Sequence, residues 1–191
     1  MKDASAVKFF LSYDYPWWRR SLVYADFGVS DTPLRQTYDF GTSEFSQRSV
    51  LMQMYIDDEE VSTWLELAER TNKNITDGDI AFTIGKETVL ITHKYLSALY
   101  KIEFRTIPQH TGRILAIWRN YPYGGAWQKW MPGYFWPHVE HATVKPSRTD
   151  NIFVVCNAFN SRTPPYWSES ALQSVERVMP YFGLRKIVLQ P

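Results

Sequence analysis

Two stretches of this sequence carry residue types that could do chemistry. In His138-Val139-Glu140-His141 two imidazoles stand three residues apart, which on a helix would put them on one face, as zinc ligands can be. The stretch is not H-E-x-x-H, no helix is read after Pro137, and no third ligand is evident, so no metal site is expected. The other stretch is Tyr121-Pro122-Tyr123-Gly124-Gly125-Ala126-Trp127-Gln128-Lys129-Trp130, followed by Tyr134, Phe135 and Trp136. Gly124 and Gly125 remove two successive side chains, so backbone can approach a ligand or take unusual dihedrals. The rings around that gap would give flat apolar walls suited to a planar ligand. A tight turn under a Trp-rich core accounts for the same residues equally well.

Several chemistries lack their residues. There is no G-x-G-x-x-G and no G-x-x-x-x-G-K-[ST], which argues against independent dinucleotide or ATP binding. There is no G-x-S-x-G elbow, and no catalytic Ser or Cys can be assigned. Cys156 is the single cysteine, which excludes an internal disulfide and reads as a small buried hydrophobe. Lysine and arginine number 21 against 20 acidic residues, so no global field draws in nucleic acid. No apolar run approaches the ~20 residues that span a bilayer, and no secretory signal is visible at the start. The outlying figure is 16% aromatic, which suits a deep core or an aromatic-lined pocket.

The elements that must position these residues read as α+β. Strands are expected at Lys8 to Tyr13, Leu34 to Phe40, Val50 to Ile56 and Arg113 to Trp118, the last leading into the Gly-Gly segment. Trp17 and Trp18, read as extended chain, would point opposite ways. Asp57-Asp58-Glu59-Glu60 opens a helix whose Val61, Trp64, Leu65 and Ala68 form one apolar stripe. A second helix runs from Glu87 to about Ile102 with Ile91, Tyr95, Ala98, Leu99 and Ile102 on one side, and His93 inside it is read as structural or exposed. Ile152 to Cys156 reads as a short strand buried on both faces. Ser168 caps a last helix with Ala171, Leu172, Val175, Val178 and Met179 as its apolar face, stopped by Pro180 and Gly183. A mixed sheet would pack against the helices at 59–70 and 87–102.

The Gly-Gly segment is similar to the D-P-Y-G-G-G-W-H-x-W pattern of flavin-dependent L-amino acid oxidases, within the flavin amine oxidases. Thr32-Pro33-Leu34-Arg35-Gln36-Thr37-Tyr38 resembles that family's L-P-x-R-Q-T-Y segment, and Lys8 to Trp18 its strand ending in P-W-W. Phe153 to Ser161, then Tyr166 to Gln173, resemble its C-terminal F-x-C-G-E-A-Y-S and G-W-V-E-G-A-L patterns. The pieces follow the family's order and touch most of the chain.

The resemblance implies a substrate-domain-like region at 1–150 and a strand and helix of FAD-domain type at 151–191. The family moves hydride from a substrate Cα to flavin N5, water hydrolyses the imine, and oxygen is reduced to peroxide. It implies a substrate cavity lined by Tyr123, Gly124, Gly125, Trp127 and Trp130. It places FAD near Asn157, Ala158, Trp167, Glu169 and Ala171. The partners it implies are an N-terminal dinucleotide-binding half or subunit and a small amine or amino acid substrate. Departures accompany it: the family's G-E is Asn157-Ala158, its E-G-A is Glu169-Ser170-Ala171, and Ala126 and Gln128 replace Gly and His. Three readings follow: part of an oxidase, an inactive degenerate or truncated relative acting as a binding module, or an unrelated aromatic-rich module for ligands such as sugars.

Overall fold

The computed structural model describes residues 2–57, 60–71, 80–81, 85–118, 126–129, 133, 136–157 and 167–185. The chain is α+β and divides into two units, Asp3–Trp127, and Gln128–Pro191 with Met1–Lys2. In chain order the elements are β1 (Lys2–Ala4), β2 (Ala6–Tyr13), β3 (Phe27–Val29), β4 (Gln36–Thr42), β5 (Ser49–Asp57), α1 (Val61–Thr71), β6 (Ile80–Ala81), α2 (Lys86–Tyr100), β7 (Gly112–Trp118), β8 (Trp127–Lys129), α3 (Trp136–Val144) and α4 (Trp167–Val178). No helix among the described residues is long and apolar enough to cross a membrane.

The first unit is built on a six-stranded sheet in the order β3-β4-β5-β2-β7-β6. Its paired strands are antiparallel rather than mixed, and the single parallel contact is an isolated bridge between Arg35 and Tyr55. β2 is central, with Val7, Phe9, Leu11 and Tyr13 buried and Lys8, Phe10 and Ser12 half-buried between them, the period of two that one covered face requires. A register shift at Phe9/Phe10 bends it against β5. On α1 the expected Val61, Trp64, Leu65 and Ala68 are all buried in the core.

Two readings of phase need correction. Trp17 and Trp18 are not extended; they start a 3-10 helical turn, Trp17–Arg20, just after Pro16, and both are buried. Neighbours on such a turn stand about a third of a rotation apart, not a half, so both rings can enter the same core. Trp17 packs edge-on against Tyr13, Trp18 and Tyr100, and the aromatic excess goes substantially into this cluster. On α2 the buried face is Thr88, Val89, Thr92, His93, Leu96 and Tyr100. The expected Ile91, Tyr95, Leu99 and Ile102 lie at its flank, and Ala98 is exposed. The polar groups on this face find partners: the His93 ring bonds the Tyr13 hydroxyl, and Thr92 Oγ1 donates to the Thr88 carbonyl at 2.8 Å.

In the second unit α3 forms where no helix was read, with Pro137 in its first turn. Proline is tolerated there because the first amides of a helix have no intrahelical acceptor. Residues 152–156 are not a strand: Ile152 and Val155 are exposed and Cys156 is half-buried. The Val154 amide donates to the Val144 carbonyl at 3.3 Å rather than into a ladder. α4 begins at Trp167, so Ser168 lies inside its first turn. Pro180 opens a 3-10 turn after it, and Gly183, at φ 70°, ends that turn.

Candidate functional site

The sites anticipated from sequence fall in different places. Tyr123, Gly124, Gly125 and Trp130 lie outside the described residues, as does Ala158. Trp127, half-buried, opens β8, and the Ala126 amide before it donates to the Ala4 carbonyl at 2.8 Å. Asn157 is exposed at the end of the irregular stretch after α3. Trp167, Glu169 and Ala171 share the first turns of α4. Glu169 is exposed and accepts from Gln173 Nε2 at 3.3 Å, and Ala171 is half-buried. His138, on α3, is exposed, and among the described residues no three His, Cys, Asp or Glu side chains converge as metal ligands.

The Thr32–Tyr38 segment enters β4 through a left-handed Arg35, φ 59°. Non-glycine residues seldom hold that conformation without surrounding support. Here the Arg35 amide donates to the Thr32 carbonyl at 3.0 Å, and its Nε pairs with Glu60 at 3.2 Å. A small cavity of about 220 Å³ lies beside it, lined by Val29, Ser30, Arg35, Gln36, Tyr55 and Asp57.

Two buried polar groupings escaped sequence reading. Gln53 Nε2 donates to the Tyr13 hydroxyl at 2.7 Å, and the same hydroxyl bonds His93 Nε2 at 2.8 Å. Burial, helped by the charge of His110, pushes the His93 pKa down to about 4, so the ring is neutral near pH 7. Burial likewise pushes the Tyr13 phenol far up. Around this triad Trp17 Nε1, Gln53 Oε1 and Thr88 Oγ1 are buried without a hydrogen-bond partner among the described residues. The other grouping surrounds Asp39, whose carboxylate accepts from Trp18 Nε1 at 2.9 Å, Arg19 Nε at 2.6 Å, the Tyr24 hydroxyl at 2.8 Å and the Gly41 amide at 2.8 Å. Burial works to raise its pKa, but these donors outweigh it and hold the carboxyl well below the usual range. Apart from the nearer Tyr24 and Gly41 contacts to Asp39, both groupings join residues 20 to 80 positions apart, a separation local patterns do not register.

A wider cleft of about 620 Å³ opens where the start of α2 meets the start of β7, lined by Lys86, Gln109, His110, Thr111, Gly112 and Arg113.

These features define an α+β protein with an aromatic core and open polar clefts. No family model matches it. The chain is similar to aplysianin-A of Aplysia kurodai, 26% identical over 185 residues that make up 94% of this chain and 33% of that protein. It is also similar to achacin of Lissachatina fulica, 27% identical over 175 residues that make up 90% of this chain and 33% of that protein. The chain therefore spans about a third of the length of these curated relatives, 33% in each case.

Proposed function

We propose that this chain is the C-terminal, substrate-domain part of a flavin-dependent amine or L-amino acid oxidase-like protein, completed by a dinucleotide-binding half or subunit. The observation that carries the reading is the reversed polarity of α4. That helix buries Ser170 and Ser174, at 0% and 3% exposure, and leaves Leu172 and Val175 at 60% and 45%. Leu172 and Val175, three apart, are neighbours on the helix surface. Tyr181, Phe182 and Leu184, just beyond the helix, are also exposed. The expected apolar face is thus present, but Val178 is the member of it that is buried. Burying one such side chain is worth about 1.5–3 kcal/mol, so a partner surface would be strongly favoured. The 33% coverage of both relatives supports a larger whole.

The described residues fit one edge of an FAD site. The first-turn amides of α4, at Trp167 to Glu169, and the positive end of its dipole suit negative charge on a flavin ring. No pyrophosphate cradle accompanies them, since the sequence has no G-x-G-x-x-G. On this reading Trp127, with Tyr123, Gly124, Gly125 and Trp130, lines the substrate side, and Asn157, Ala158, Trp167, Glu169 and Ala171 face the cofactor. The flavin, when bound, supplies the two-electron acceptor, and the chain's own residues orient the substrate.

A second reading, an inactive relative acting as a binding module, is favoured by Ser170. Its side chain is buried, with Oγ unpartnered among the described residues, where the family places a glycine.

The test is co-expression with a chain carrying a G-x-G-x-x-G nucleotide-binding half. Association, flavin absorbance and peroxide release on an L-amino acid are expected together, and Leu172→Asp with Val175→Asp should abolish association without lowering the thermal midpoint of the chain alone. Association without flavin would establish the second reading. Absence of both association and flavin would sink the two together.

A further inference from the structure

The cleft between α2 and β7 concentrates positive charge on a nearly neutral protein. Of the six described residues that line it, Lys86, His110 and Arg113 are cationic or can become so, and none of the six is acidic. The whole chain carries a formal charge of +1, so this is a local arrangement and not a basic surface. Among the described residues neither Lys86 nor Arg113 enters an ion pair, whereas Arg19, Arg35, Arg48 and Arg70 all do. Two uncompensated cations beside one imidazole repel one another, and an anion would relieve that repulsion.

The floor of the cleft is fixed. The Thr111 amide donates to the Ser12 carbonyl at 2.7 Å, and the Ser12 and Thr111 hydroxyls bond at 3.0 Å. Gly112 lies opposite Ser12, and a Cβ there would come within 2.7 Å of Ser12 Oγ. A side chain there would have to turn the Ser12 hydroxyl away from Thr111, so glycine suits this pairing between His110 and Arg113. The charged and titratable groups about His110 are Arg113 from β7, Lys86 from α2 and, behind it on α2, His93. Burial first, and the charge of Arg113 second, hold His110 below its ordinary pKa. Glu87, in the same helical turn as Lys86, is exposed and is not part of the lining.

We propose that this cleft is an oxyanion site for a phosphate-type group, with Arg113 and Lys86 neutralising its charge and His110 as the third donor. The guanidinium fork can engage two phosphate oxygens at once, and the lysine acts as a point charge. At the start of α2 Gly85 provides no side-chain cap, and the positive end of the helix dipole there favours negative charge near Lys86. Protonation of His110 adds a third positive charge, so an oxyanion of constant charge such as sulfate binds more tightly as pH falls. This site is independent of any flavin.

The test is titration of inorganic phosphate into the full chain, followed by calorimetry and by the histidine ring signals. Saturable one-site binding is expected, weakened roughly tenfold or more in Lys86→Ala with Arg113→Ala. Binding should be unchanged in Lys94→Ala, an exposed lysine further along α2. Acetate should bind more weakly than phosphate, and with sulfate, whose charge is constant over this range, His110→Gln should remove the tightening between pH 7.5 and 5.5. Lys86→Ala alone, at an exposed position, keeps the test open should the double variant lose its fold. No saturable phosphate binding, equal affinity in folded variants, or acetate binding as well as phosphate would each overturn the assignment.

Discussion

Replacing Asp39 with alanine should destabilise the first unit by about 3 kcal/mol, a fall in thermal midpoint on the order of 10 °C. The loss exceeds that of a surface ion pair because the Asp39 side chain is only 2% exposed and serves several donors at once. Arg19, 39% exposed, can turn to water. Trp18 cannot: its ring is fully buried, and its Nε1–H would be left without an acceptor. The Tyr24 hydroxyl would lose one of two carboxylates, Asp39 and Asp26. Asp39→Asn keeps one good acceptor oxygen and should recover part of the loss. Urea unfolding read by Trp fluorescence measures both variants. A change below ~1 kcal/mol for the alanine variant would mean that the carboxylate is not what anchors Trp18.

Acid should destabilise the same unit well before carboxylates protonate. His93 is held neutral, with its pKa pushed from 6.5 down to about 4. The unfolded chain binds this proton at higher pH than the folded chain does, so stability falls as pH drops from 6.5 towards 4 and is unaffected by this group above that window. The shift corresponds to a loss on the order of 3 kcal/mol. His110, also held below its ordinary value, adds a contribution of the same sign. Asp39 behaves oppositely in range: its depressed pKa means its contribution persists through this window and is lost only at lower pH. His93→Gln, which can still accept from Tyr13, should flatten most of the slope between pH 6.5 and 4 in chemical denaturation. A wild-type curve with no slope there would show that His93 takes up its proton at the same pH in the fold as in the unfolded chain.

Sequence periodicity found β2 and α1 because each has one face in the core, and a repeat of two or of 3.6 then has a direct physical cause, whereas β5 and β7, with consecutive residues buried, showed as apolar runs. It failed where hydrogen bonds or missing neighbours set the phase. β3 exists because Phe27–Val29 pairs with β4, not because three residues containing Gly28 favour a strand. The run Ile152–Cys156 is apolar enough for a strand but finds no ladder to join among the described residues. α2 buries Val89, Leu96 and Tyr100 on the face that carries His93, a stripe broken by the polar Thr88, Thr92 and His93 and so hidden from an apolar count. At the candidate site, the Gly-Gly segment was singled out from its residue types, while Lys86, His110 and Arg113 had no visible relation in the sequence. A helix start and a strand start became neighbours only through the pinning of Thr111 to Ser12.

The sheet order also bears on how copies of this protein would meet. Among the described residues its outer strands are β3 and β6, three and two residues long. An edge that short offers few unpaired amides and carbonyls, and so little template for another chain to extend. Side-by-side growth of sheets, the usual route from a strand-rich fold to fibres, is thereby blunted. Self-association at high concentration should instead proceed through side chains such as Leu172 and Val175, stay reversible, weaken on cooling as apolar contacts do, and leave thioflavin dyes dark.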